Sequence, residues 1–229
     1  MNWILSSFFY IYILSSIISV SLAIFSFRRR FVPGAKILSY IMICVSIWSF
    51  FGALELAVQN DSWKIIFSKI EYLGIVGVSP LWLVFVANLL GLKNKILQFP
   101  NNLLFGIIPL IILLLVFTNE FHHLIWSSFS NETTNWGIIQ IYNHGIGIYI
   151  LMAYSYVFLL VGTIILFKNI LSSKKYPKMQ ILFLIIASLI PWIANIMYFF
   201  GLNPFPGVFN MYLPISVASC NFLTVLHGS

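Results

Sequence analysis

Residues 4–30 read ILSSFFYIYILSSIISVSLAIFSFRRR, an uncharged apolar segment that ends in three arginines. A transmembrane helix needs about 20 apolar residues, so this segment is long enough to cross a bilayer. It has no basic stretch before the apolar run and no small-residue cleavage site after it, which distinguishes it from a signal peptide. We therefore interpret it as a retained first span with the arginine cluster at its cytoplasmic end.

The composition of the whole chain extends this interpretation. Of the 229 residues, 61% are hydrophobic and only 7% are charged, whereas soluble domains carry about 25% charged residues. Six further apolar segments follow the first, so we predict an all-α membrane protein in which residues 1–229 form a single seven-transmembrane helix bundle. The predicted spans lie near 4–27, 37–58, 65–91, 103–118, 146–167, 179–200 and 209–226.

The basic residues indicate which side of the membrane each loop faces. Of the 12 Lys and Arg residues, all but Lys64 and Lys69 lie in or beside the first, third and fifth loops. Short loops rich in Lys and Arg remain in the cytoplasm. The N-terminus is therefore predicted outside and the C-terminus in the cytoplasm, in a multi-pass protein of the cell membrane. The net charge of +7 is explained by orientation and by anionic headgroups, and it does not indicate a nucleic-acid partner.

Two acidic residues within the predicted spans are candidates for a binding site. Glu71 lies about 10 Å below the outer end of the third span, at roughly 1.5 Å per residue. A carboxyl group at that depth is costly unless it faces the bundle interior and finds a partner or a proton. Glu71 is therefore either a ligand-binding acid or a structural one. Glu55, near the outer end of the second span, is either an interfacial acid or a second member of the site.

Other polar and aromatic residues are predicted at a similar depth on other helices. Asn195 lies in the outer half of the sixth span, where an Asn either joins helices or belongs to a site. Convergent polar groups in an apolar bundle are the default expectation for a pocket. We predict a ligand site in the outer half, covered by the long loop 119–143. Its candidate residues are Glu55, Glu71, Trp82, Asn119, His122, Trp126, Trp192, Asn195 and Tyr198.

The chain shows no pattern of a metal or cofactor site, and none is predicted. His122 and His123 are adjacent and point apart on regular structure, and no HExxH or Cys/His spacing occurs. The seventh span contains no lysine, which excludes a retinal Schiff base of the microbial rhodopsin type. Cys44 and Cys220 are the only cysteines, and we interpret them as packing residues.

Four groups of residues on the second, third, fourth and sixth spans carry a resemblance to a known family. They are Trp48 with Glu55; KIEYLG at 69–74 with PLW at 80–82; Ile108-Pro109 with TNEFHHLIW at 118–126; and PWIAN at 191–195 with Tyr198. Together they resemble the N-terminal seven-transmembrane sensor region of bacterial and archaeal histidine kinases. The resemblance covers nearly the whole chain.

The resemblance implies a sensory input domain for signal transduction, joined in its family to a cytoplasmic module such as the histidine kinase of a two-component system. No motif of such a module occurs here, so the chain is not expected to be an enzyme. A small, at least partly apolar signal molecule is expected to bind in the outer-half pocket and shift helices relative to one another. A homodimer is implied by analogy only.

Two other functions fit a polytopic membrane protein. A small transporter or channel, the main alternative, needs a continuous polar path through both halves of the membrane. The inner halves of the predicted spans hold almost no ionisable residues. An intramembrane hydrolase needs histidines, acids or a nucleophile clustered within spans, whereas these histidines cluster in an outer loop. The sensor is therefore the preferred prediction.

Overall fold

The computed structural model describes residues 3, 5, 7–92, 101–134, 137–172, 182, 185, 186 and 189. Within these residues, five long helices correspond to the first five predicted spans, and a β-hairpin lies between the fourth and the fifth. The elements are α1 (Ser7–Arg28), α2 (Ala35–Ala57), α3 (Asp61–Leu89), α4 (Asn101–Phe117), β1 (Trp126–Thr134), β2 (Gly137–His144) and α5 (Ile146–Ser172). The predicted seventh span and most of the sixth lie outside the described residues.

The long helices have the composition of membrane spans. Helices α1, α2, α3 and α5 are each long and apolar enough to cross a bilayer, and α4 is a shorter apolar helix. Their outward faces expose large apolar side chains such as Leu14, Leu110 and Ile150. Contiguous apolar surface of this extent indicates contact with lipid. The protein is therefore mostly helical and belongs in a membrane.

Hydroxyl groups join α1 to α2. The Ser15 and Ser49 Oγ atoms lie 3.3 Å apart, and the Ser16 and Ser46 Oγ atoms lie 3.0 Å apart. All four serines are buried. Small side chains allow close approach of membrane helices, and their hydroxyls form hydrogen bonds between helices that lack a hydrophobic driving force for association.

Glycines bring α3 against its two neighbours. A Cβ atom at Gly74 would collide with the backbone carbonyl oxygen of Cys44 on α2. One turn further on, a Cβ atom at Gly77 would lie 2.9 Å from the Cys44 Sγ atom. On the other side of α3, a Cβ atom at Gly162 of α5 would lie 2.8 Å from the Trp82 Nε1 atom. Helix α3 is therefore the centre of the described bundle.

The buried side chains form two main layers along the bundle axis. At the end where α1 turns into α2, here called the turn end, the core includes Leu22, Met42, Trp82 and Leu166. At the opposite end, here called the hairpin end, a second core extends from α3, α4 and α5 up to Trp126. The hairpin is thus part of the packed structure.

The expectation of an all-α fold is wrong for the loop between α4 and α5, which forms the antiparallel β1–β2 hairpin. A single helical turn, Asn119–His122, leads into it. Strand β2 contains three isoleucines and Tyr142, residue types that favour strands. Along β2, Gln140 is buried and Ile141 is exposed, as expected for a strand with one face on a core.

Candidate functional site

Two carboxyl groups predicted to lie at the same depth are brought together at the hairpin end. Glu71 of α3 is 8% exposed, and Glu55 of α2 is half-buried. The two carboxyl groups lie near each other, and their charges would repel if both were ionised. Gly52, nearly one turn before Glu55, lies beside Glu71: a Cβ atom there would be 3.7 Å from the Glu71 Cδ atom, an ordinary contact, but only 2.8 Å from the Tyr12 Cε1 atom.

Strand β2 supplies a third member of this cluster that the sequence analysis missed. The Tyr142 hydroxyl donates a hydrogen bond of 2.6 Å to Glu55 Oε1 and lies 3.2 Å from Gln140 Oε1. Burial raises the pKa of Tyr142 well above its usual value, and the neighbouring Glu55 carboxyl group raises it further. Tyr142 therefore remains a donor at physiological pH. The sequence signal that could have identified Tyr142 is the two-residue periodicity of a strand, which places Gln140 and Tyr142 on the same face of β2.

One oxygen of the cluster lacks a partner. Among the described residues, Glu71 Oε1 makes no hydrogen bond although it is buried. A buried polar atom without a partner costs about 1–3 kcal/mol, and more when it is charged. Such an atom in a native structure calls for an explanation, and a hydrogen-bond donor on a bound molecule is one.

The two lysines of α3 nearest to this cluster are engaged by other groups. The Lys64 ammonium donates a hydrogen bond of 3.1 Å to the backbone oxygen of Glu55. The Lys69 ammonium donates to the backbone oxygen of Phe117 at 3.2 Å and forms an ion pair with Glu120. Lys69 thus points away from Glu71, as two residues along a helix do.

Aromatic side chains join the hairpin to the bundle beside the carboxyl pair. Trp126 is 2% exposed, and its ring meets that of Tyr72 edge to face with centroids 5.5 Å apart. The rings of Tyr142 and Phe129 lie 5.4 and 6.0 Å from the Trp126 ring. Edge-to-face and tilted pairs at these distances add to the energy of area burial. The hairpin, here called the lid, is therefore attached to the bundle by Trp126, which packs on Tyr72, and by Tyr142, which bonds to Glu55.

Asn119 and His122, two predicted site residues, form hydrogen bonds with the backbone that leads into β1. Asn119 is buried, and its Oδ1 atom accepts hydrogen bonds from the backbone amides of Ile125 and Trp126 at 2.9 and 3.0 Å. Its Nδ2 atom donates to the Trp126 carbonyl oxygen at 3.0 Å. His122 Nδ1 accepts from the Leu124 amide at 3.0 Å. Both side chains act on the backbone that positions Trp126.

Trp82 lies in a different part of the molecule from Glu71. It packs at the turn end in the core that contains Met42 and Phe85. Eleven helical residues separate it from Glu71, which corresponds to about 16 Å along α3. The two residues are therefore not neighbours, although both were predicted to belong to one site. The other predicted site residues, Trp192, Asn195 and Tyr198, lie outside the described residues.

Two titratable groups flank the site outside the helical spans. Burial lowers the pKa of His144, so its ring is neutral at neutral pH. The hydrogen bond from Lys69 lowers the pKa of Glu120, which is therefore ionised and balances the Lys69 charge. Another contact at this end joins the Asn131 amide of β1 to the Asp61 carboxylate of α3 at 3.1 Å.

Comparison with known proteins assigns the chain to a family. No curated protein matches it. A family model described as the N-terminal 7TM region of histidine kinase matches residues 11–226. This match covers nearly the whole chain, including the carboxyl pair and the hairpin. The chain therefore belongs to the family of N-terminal seven-transmembrane regions of histidine kinases.

Proposed function

We propose that this chain is the sensory input domain of a membrane signalling protein and that it receives its signal at the Glu55–Glu71 pair. The observation that carries the proposal is the buried Glu71 Oε1 atom, which has no partner among the described residues. A ligand with a hydrogen-bond donor would satisfy it. The surrounding aromatic rings favour a ligand that is small and at least partly apolar.

We further propose that the chain has seven spans, with its N-terminus outside and its C-terminus in the cytoplasm. The hairpin end faces outside, and the turn end with Arg28, Arg29 and Arg30 faces the cytoplasm, as expected for basic loops. A cysteine introduced at Ser130 in β1 should therefore react with a membrane-impermeant thiol reagent in intact cells, whereas one at Ser173 should not. Labelling of both positions, or of Ser173 alone, would contradict this orientation.

The packing suggests how a bound signal is relayed. The pair links α2 to α3, and the Tyr142 hydrogen bond links the lid to α2. Because Gly74 holds α2 and α3 in close contact, a change at the pair would move the helices as packed bodies rather than bend them locally. The ligand must bind one arrangement more tightly than the other to shift the equilibrium. The chain itself then performs no catalysis, and a cytoplasmic module in a homodimer supplies the output.

Binding to purified protein tests the site. We would screen small amphipathic compounds with a hydrogen-bond donor, such as alkylamines and hydroxylated fatty acids, by thermal unfolding in detergent micelles. Glu71→Gln keeps the size of the side chain and replaces its carboxyl group by an amide. A compound that stabilises the wild type should lose its effect on Glu71→Gln. It should keep its effect on Glu120→Gln, a control that removes a carboxylate whose side chain is 60% exposed.

Two results would overturn the site. One is a compound that stabilises Glu71→Gln as much as the wild type. The other is a lower unfolding temperature of Glu71→Gln with no compound that binds the wild type. The second result would give Glu71 a structural role, with a loss of about 1–3 kcal/mol for a buried hydrogen-bonded group.

A further inference from the structure

A second concave site lies at the turn end, on the opposite side of the bundle from the carboxyl pair. It has a volume of about 410 Å³, which falls within the range of roughly 300–1,000 Å³ for small-molecule pockets. The turn between α1 and α2 forms one wall, and the last turns of α3 form the other. Its lining includes Arg30, Gly34, Lys36, Tyr40, Val84 and Asn88.

Among the described residues, no acidic side chain lines this cavity. Arg28, Arg29, Arg30 and Lys36 lie within one short stretch of sequence. All five acidic residues of the chain lie between positions 55 and 132, at or beyond the hairpin end of α2. The side chains that α3 contributes to the cavity, Val84 and Asn88, are neutral. Like charges at short distance repel one another, so an anion from outside the chain would stabilise this cluster.

The local geometry directs positive groups toward the cavity. The Arg30 guanidinium lies 5.3 and 5.1 Å from the ring centroids of Phe27 and Phe31. Stacking of this kind orients a guanidinium group, which then binds phosphate through two parallel hydrogen bonds. Lys36 lies in the first turn of α2, which follows Gly34 at a φ of 85° and carries no side-chain cap. The partial positive charge of that helix end adds to the charge of Lys36.

We propose that this cavity binds a phosphate-bearing anionic group through Arg30 and Lys36. Such a group could belong to a lipid headgroup or to a soluble phosphate compound. Basic pockets between membrane helices on the cytoplasmic side bind headgroups. Occupation would tie the α1–α2 turn to the inner end of α3, the end that must move if a signal is relayed. The proposal is independent of the carboxyl pair.

Reconstitution of the chain in vesicles tests this site. Thermal unfolding and native mass spectrometry would compare phosphatidylcholine vesicles with vesicles that also contain phosphatidylglycerol. A third sample of phosphatidylcholine vesicles with inorganic phosphate separates the two sources of the anion. We expect phosphatidylglycerol or inorganic phosphate to stabilise the wild type, and Arg30→Gln and Lys36→Gln each to weaken binding about tenfold, as expected for a lost charge-assisted hydrogen bond.

The same turn offers a matched control. Arg29→Gln removes an equal charge, but the Arg29 guanidinium lies 4.5 Å from the Phe25 ring centroid and is not among the cavity-lining residues. Its effect should be clearly smaller than that of Arg30→Gln. An equal loss in all three variants would show that the basic surface attracts anions without a defined site. Absence of stabilisation by both phosphatidylglycerol and inorganic phosphate would also refute the proposal.

Discussion

Replacement of Tyr142 by phenylalanine removes one hydroxyl group from the contact between the lid and the bundle. In the structure this hydroxyl donates a hydrogen bond of 2.6 Å to Glu55 Oε1. The aromatic ring remains, and with it the ring contacts at 5.4 Å to Trp126 and 5.5 Å to Phe129. The substitution therefore isolates the polar part of the contact from the apolar part.

The size of the effect follows from the nature of the acceptor. A hydrogen bond contributes about 0.5–1.5 kcal/mol, and up to about 3 kcal/mol when the acceptor is charged. Glu55 is only half-buried, so water can replace part of the lost bond and the lower figure applies. A loss of about 1.4 kcal/mol changes an equilibrium constant tenfold. We therefore expect the lid to open about tenfold more often in Tyr142→Phe than in the wild type.

Hydrogen exchange of backbone amides measures this opening directly. The amides that pair β1 with β2 should exchange about tenfold faster in Tyr142→Phe, since local opening exposes them. Amides in the middle of α3 should be unaffected. Tyr149→Phe is a matched control, because Tyr149 is 51% exposed on α5. Equal exchange of the hairpin in Tyr142→Phe and Tyr149→Phe would refute the reasoning and show that ring packing alone holds the lid.

Three further predictions concern the surroundings of the site. Asn119→Ala removes three hydrogen bonds to backbone groups and should destabilise the lid by about 2–3 kcal/mol, seen as faster proteolysis within β1. Gly74→Ala places a methyl group against the α2 backbone and should lower the free energy of unfolding by about 1–3 kcal/mol, measured by thermal unfolding. Gly106→Ala is the control, because open space surrounds Gly106, and it should leave the stability unchanged. Stability should also depend on pH in two steps. Because burial lowers the pKa of His144 below its ordinary value of 6.5, the folded state resists protonation and stability should fall as the pH drops below that value. Lys69 lowers the pKa of Glu120 below its ordinary value of 4.5, so a second loss of stability should follow below that pH. This loss should be under about 1 kcal/mol, because the ion pair is largely exposed. In a plot of unfolding temperature against pH, His144→Gln and Glu120→Gln should each remove one of the two steps.

The positions of the five described helices could be predicted from apolar length. An uncharged segment of about 20 residues has few alternatives to a helix in a membrane, because every backbone polar group must be paired within the segment. For this reason α1 ends beside the predicted arginine cluster at Arg28 and α4 ends at Phe117, next to the predicted boundary. The depth of Glu55 and Glu71 followed from counting residues along their helices, and the structure brings the two carboxyl groups together.

Contacts between helices and strands could not be predicted from the length of the apolar segments. The outer loop was predicted to cover the bundle, but its strands pair across the chain and its alternating pattern is short, so local sequence did not distinguish a hairpin from an irregular loop. The role of Tyr142 depends on that pairing. Trp82 was wrongly placed in the site, because about 16 Å along α3 separates it from Glu71.

The difference between the helix positions, which the sequence determines, and the contacts between them, which only the tertiary structure determines, has a physical basis. Insertion of apolar segments and orientation by charge depend on interactions of each segment with lipid and water, and these are encoded locally along the chain. The partners of Glu55, the interface of α2 with α3 at Gly74, and the cavity between Arg30 and Asn88 depend on which helices lie side by side. Between membrane helices that choice rests on shape and on hydrogen bonds rather than on hydrophobicity, and shape emerges only when residues far apart in sequence are packed together.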